Sequence, residues 1–263
     1  MKKQFFLSLI FLGMTLIFRI LASSAAQFLY PGKGLDTLAC GDFIWGLSTL
    51  IAYKVFFGTF APNAQPTIDI DRKSVCFFLR GFFASASTVI VAFLLLLLAG
   101  GTARFFVTPE AFFVSLVAAV GIAMFEEVLF RGVLFSLLAQ VLPVSVTVFV
   151  VAIVFTLLHL DGRPDLALAS TLLFSLVFTI SLAVHNNLGL PIGLHAGSNF
   201  LTVLASGSQG VHGGFVKFTG SQFKIEFTFL IASTLLFIGV CIFWLVLWLR
   251  RSEDQLVPSR AQT

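Results

Sequence analysis

Three polar clusters interrupt otherwise apolar runs of this sequence: Glu126-Glu127 with Arg131, His159 four residues after Phe155, and His195 four residues before Asn199. Carboxylates and imidazoles are side chains that can move protons, and an imidazole beside an amide places hydrogen-bond donors on one face. An ionisable side chain at a bilayer centre costs about 2.5 to 3.5 kcal/mol on insertion scales, so such groups persist there mainly where they pair or react. Glu126, Glu127, Arg131, His159, His195 and Asn199 are therefore the place to look for function.

Each cluster taken alone also has a plainer reading. Adjacent helical residues point about 100° apart, so Glu126 and Glu127 cannot face one cavity equally. Glu127 and Arg131 stand four apart in the acid-first order that favours a helix ion pair, which leaves Glu126 as the carboxylate free for chemistry. The pair alone can be a structural salt bridge, but a second carboxylate adds desolvation cost without a structural partner. Phe155 can wall one side of the His159 imidazole, although a lone membrane histidine near a helix end is commonly an interfacial hydrogen-bonder. His195 and Asn199 can equally be polar glue between helices.

The elements that must position these residues follow from composition. The chain has 263 residues, of which 58% are hydrophobic and only 11% charged, with a mean hydropathy of +1.03. A soluble domain cannot cover that much apolar surface, so the bilayer is the expected solvent. Apolar stretches run over 5–22, 43–60, 76–99, 111–142, 143–160, 166–184, 188–206 and 227–249, which predicts about eight spans. Their long unalternating runs exclude a β-barrel, and backbone groups in lipid must be satisfied within their own segment, so the fold class is all-α, a polytopic transmembrane bundle.

Thr108-Pro109-Glu110 is a helix start with a hydroxyl cap, a first-turn proline and an early acid. No breaker other than Gly121 and Gly132 precedes Pro143, so the fourth helix is expected to continue to about Leu142. Glu126 and His159 then each lie roughly 24 Å from the intervening turn, level with one another on antiparallel helices. His195 fits less well: straight, fully spanning helices put it about 15 to 20 Å from the depth of His159. The expected resolution is a fifth helix that stops short, with Asp161-Gly162-Arg163-Pro164-Asp165 lining a watery cavity.

The net charge of +4 does not indicate nucleic acid, because the basic residues sit at span ends and form no aromatic-laced stripe. With both termini cytoplasmic, Lys2, Lys3, Arg72, Lys73, Arg250, Arg251 and Arg260 fall inside, against Lys33, Arg104, Arg163, Lys217 and Lys224 outside. Lys54 and Arg80 lie at inner span ends, whereas Arg19 opposes the scheme. Met1-Lys2-Lys3 and the following apolar run are read as an uncleaved first helix in preference to a signal peptide. Cys40, Cys76 and Cys241 have no metal-ligand spacing and are expected to be apolar fillers. The 33 Phe residues supply lipid-facing and inter-helix bulk. His185 and His212 match no motif and are placed in loops, and the Gly-rich 207–220 segment is either a flap over substrate or a connector.

Together, Glu126-Glu127-Val128-Leu129-Phe130-Arg131, Phe155-Thr156-Leu157-Leu158-His159 and His195-Ala196-Gly197-Ser198-Asn199 resemble the EExxxR, FxxxH and HxxxN motifs of the CAAX protease and bacteriocin-processing family of intramembrane proteases, in order. The resemblance covers about 112–204 and implies a catalytic core over 111–206, flanked by motif-free helices over 1–110 and by a loop, last helix and basic tail over 207–263. It implies an endopeptidase acting on a hydrophobic or membrane-anchored peptide, in the inner, cytoplasmic membrane of a bacterium. Glu126 would activate water with help from His159, and His195 with Asn199 would stabilise the oxyanion. No cofactor is expected. Zinc held by Glu126, His159 and His195 is the alternative, but the chain lacks an HExxH helix and an amide is a poor zinc ligand. A transporter would relay protons through the same residues but usually shows repeated halves, which are not evident here. A non-catalytic immunity-type membrane protein would have no need of the intact set.

Overall fold

A computed structural model describes Phe6, Ile10, Phe11, Gly13, Thr15, residues 35–60, 72–98, 102–105, 108–160, 165–206, 216–219, Phe227, 230–240, Ile242 and Phe243. These residues form a helical bundle of α1 (Leu35–Phe60), α2 (Arg72–Leu98), α3 (Pro109–Glu127), α4 (Val144–Leu157), α5 (Asp165–His185) and α6 (Gly189–Ser206). A further apolar helix, α7, covers Leu230–Val240. Among the described residues, three helical stretches are long and apolar enough to cross a bilayer, Arg72–Leu95, Phe112–Leu138 and Ala167–His185. The expectation of eight spans therefore holds only as a multi-helix membrane bundle. The first expected span falls largely outside the described residues, the last is described chiefly as the 11 residues of α7, and α4 has only 14 residues.

A two-stranded antiparallel ribbon, which the sequence did not suggest, pairs β1 (Thr102–Phe105) with β2 (Val216–Thr219). Arg104 faces Lys217 in its register, so the segments that hold them lie on one side of the bundle, as the charge distribution requires. The rest of the proposed flap, with His212, lies outside the described residues.

The continuous helix expected over 109–142 has a different interior. After Glu127 the ladder widens into a π-helical stretch, Val128–Leu134, where the Phe135 amide reaches back to the Phe130 carbonyl, before a last α turn over Phe135–Leu138. Such insertions are often found at functional sites. Here it is supported from α1, since the buried Tyr53 hydroxyl donates to the Gly132 carbonyl at 3.2 Å.

The closest backbone contact joins α2 to α6. Gly189, Gly193 and Gly197 recur every four residues along one face of α6, and a Cβ on them would strike the carbonyl oxygens of Ser74, Phe78 and Phe82, respectively. Gly81 answers from α2 against the Leu190 carbonyl. Small residues at this spacing let helices touch backbone to backbone, the packing that lipid favours. A second close crossing pairs Gly46 of α1 with Gly121 of α3. His195 lies between Gly193 and Gly197, about 200° round the helix from each, so docking the glycine face on α2 turns the imidazole toward α3.

Candidate active site

The three motifs meet. His159 Nε2 and His195 Nε2 lie 3.9 and 3.7 Å from the same atom, Glu126 Oε2. The depth conflict disappears because α4 ends at Leu157, after 14 residues or about 21 Å, so His159 sits in a turn short of a full span. Residues 161–164, expected to line the cavity, fall outside the described set.

The ring orientations follow from what each Nδ1 touches. His159 Nδ1 is 2.7 Å from the Phe155 carbonyl oxygen; a carbonyl can only accept, so this nitrogen carries hydrogen and Nε2 faces the cavity. Phe155 also stacks on the His159 ring, with centroids 4.4 Å apart. His195 Nδ1 lies 2.7 Å from Glu127 Oε1, an acceptor that already receives Arg131 Nη1 at 2.9 Å. Nδ1 is again the protonated nitrogen, and Nε2 again points at Glu126.

This arrangement revises the reading of Glu127. The two carboxylates do leave the helix in different directions, and Glu127 is paired with Arg131 as expected. It is not confined to that pair, however, because the His195 ring spans the gap and meets one carboxylate at each nitrogen. Glu127 and Arg131 are both fully buried, whereas the Glu126 side chain keeps 17% and that of His159 22% of their possible exposure, so the water-reachable edge of the cluster is theirs.

Burying Arg131 takes partners that the motifs do not contain. Its Nη2 donates to Ser175 Oγ at 2.6 Å and to the Ser175 carbonyl at 3.2 Å, and its Nε to Thr179 Oγ1 at 3.2 Å, all on α5. Its Cζ lies 4.6 Å from the Phe155 ring centroid and 5.6 Å from that of Phe178. Phe178 in turn stacks on His195, centroids 5.1 Å apart and planes within 20°. The spacing of Ser175 and Thr179, four apart on an apolar helix between two motifs, was the available signal. Glu127 Oε2 remains buried with no hydrogen-bond partner among the described residues.

Asn199 is one turn on from His195, partly buried, and has no hydrogen-bond partner among the described residues. His185 is corrected from a loop residue to the last residue of α5, packed on Phe77 with centroids 5.2 Å apart and far from the motifs in register. Cys76 is a free, exposed thiol.

Glu126, His159 and His195 match zinc in donor type, yet their separations of 3.7 and 3.9 Å exceed the roughly 3.3 Å expected between donors around a tetrahedral ion. No group of three His, Cys, Asp or Glu among the described residues is arranged to hold a metal ion. The site as built leaves a gap lined by acceptors, one carboxylate oxygen and an imidazole nitrogen from each ring, which suits a small donor such as water.

Residues 108–201 match the family model described as "Type II CAAX prenyl endopeptidase Rce1-like". The match runs from the start of α3 into α6 and contains all six candidate residues. No curated protein matches the chain.

Proposed function

We propose, on the premise that residues 108–201 belong with the CAAX protease and bacteriocin-processing family, that this chain is an intramembrane endopeptidase hydrolysing a peptide bond of a membrane-associated substrate. The observation that carries this reading is the approach of one carboxylate oxygen, Glu126 Oε2, to both imidazoles. A water in that gap would donate one hydrogen to Glu126 and the other to His159 Nε2, whose tautomer is fixed by the Phe155 carbonyl.

In the reaction, Glu126 takes a proton from the water as its oxygen bonds to the scissile carbonyl carbon. The oxyanion that forms accepts from the Asn199 amide and from His195 Nε2 once that ring has taken a second proton from solvent. Glu127 supports the protonated ring from the Nδ1 side, holding it in place as a carboxylate does for histidine in serine proteases. With His195 charged, Glu126, Glu127, Arg131 and His195 sum to zero net charge, which limits the desolvation cost of burying them together. Collapse of the intermediate breaks the C–N bond, and the proton held by Glu126 passes to the leaving amine.

The test is cleavage of labelled hydrophobic peptides by purified protein in detergent or vesicles. Glu126→Ala is expected to lower kcat by about 100-fold or more, and Asn199→Ala by about 100- to 1,000-fold through loss of one oxyanion donor. Activity surviving in Glu126→Ala removes the proposed base. Activity lost to a chelator and restored by zinc replaces the metal-free mechanism.

A further inference from the structure

An apolar groove of about 460 Å³, lined by none of the six candidate residues, opens between α2, α5, α6 and α7. One end is polar and basic. Arg80 and His185 border it there, and Arg72, Lys73 and Cys76 line a shallow depression that shares Phe77 and Arg80 with the groove. The deep end is formed by Ala84, Leu194, Leu235 and Leu236, with Thr88 on the rim. From Phe77 to Thr88 the groove follows α2 for about 16 Å, close to half of the roughly 30 Å hydrocarbon thickness, so it is one leaflet deep.

We propose that this groove binds one acyl chain of an anionic phospholipid, with the lipid phosphate held by Arg72, Lys73 and Arg80. These cations all line the depression at the first turns of α2 and have no carboxylate within 4.0 Å among the described residues. A neutral lipid would leave the cations unanswered, and a soluble anion would leave the groove unfilled. Basic clusters at the cytoplasmic end of a span attract anionic headgroups, and the charge distribution assigns Arg72 and Lys73 to that side. The site rests only on the membrane location of the bundle and stands apart from the proteolytic reading. Bound there, the lipid would bridge α2 to α7 and add stability by mass action.

The test is native mass spectrometry and thermal unfolding of delipidated full-length protein with phosphatidylglycerol or phosphatidylcholine of identical chains. Phosphatidylglycerol should be retained about tenfold or more over phosphatidylcholine and should raise the unfolding midpoint. The triple variant Arg72→Gln/Lys73→Gln/Arg80→Gln should lose that preference. Gly239→Leu, at a groove position where an added Cβ meets nothing within 4 Å, should weaken retention of the lipid with the cations intact. Equal retention of the two lipids, or a preference that survives the triple variant, overturns the headgroup assignment. Unaltered retention in Gly239→Leu, or displacement of the lipid by millimolar inorganic phosphate, overturns the acyl-chain assignment.

Discussion

At the scale of single residues, the site depends on one buried carboxylate that serves two partners. Glu127 Oε1 accepts from both Arg131 and His195, and neither Glu127 nor Arg131 has any exposed surface in the side chain. Removing one member of such a pair strands a charge. Arg131→Met is therefore expected to destabilise the fold by about 3 to 5 kcal/mol, read as a lowered denaturation midpoint. Adding Glu127→Gln should return much of that loss without returning activity, because the stranded charge is gone but His195 has lost its support. A melting profile unchanged in Arg131→Met would show that the pair does not hold the bundle.

The contacts among these residues were legible in part. The spacing of Glu127 and Arg131, and the order of the three motifs, needed only the sequence. The double use of Glu127 was hidden, because sequence spacing describes neighbours on one helix and His195 arrives from another, 68 residues away. Ser175 and Thr179 were hidden for a different reason: hydroxyl side chains on apolar helices usually bond their own backbone, as Thr179 also does to the Ser175 carbonyl.

At the scale of elements, the glycine seam between α2 and α6 fixes the direction of His195. Gly193→Ala forces a methyl group into the Phe78 carbonyl, which must push the helices apart. The expected cost is about 1 to 3 kcal/mol, with activity falling because the imidazole moves away from Glu126. Gly239→Ala, in open space, is the matched control and should lower neither stability nor activity. Circular dichroism melts with peptide assays would show both, and equal effects of the two substitutions would remove the seam from the account. The i, i+4, i+8 glycines stand plainly in the sequence, yet without a partner helix they do not reveal which face they serve. The π-helical stretch was not legible, because Val128–Leu134 has ordinary helix-forming composition and the widening is stabilised by tertiary contacts such as that from Tyr53.

At the scale of the molecule, the short α4 ends just before His159 and leaves the surroundings of that histidine open. Leu158 and Leu160, beside it, are 64% and 50% exposed. In a background free of native cysteines, Leu160→Cys should react with a water-soluble maleimide, whereas Ile153→Cys, exposed on the apolar body of the same helix, should not. Equal labelling of the two would mean that water does not approach the site from the end of α4. The multi-helix membrane class followed from composition alone, but the depth of the histidines did not, since counting residues assumes that every helix runs the full thickness of the slab.

The seam between α2 and α6 also has a mechanical consequence. Where carbonyls rest directly against glycine Cα atoms there is no cushion of side chains to compress, so the wall that carries His195 cannot yield to admit a polypeptide. On the proteolytic reading, clearance falls to the facing wall, where Phe149, Ile153 and Leu157 of the 14-residue α4 are exposed. A crosslink pinning α4 to α3 would then close the door to a protein substrate while leaving the water pocket itself intact.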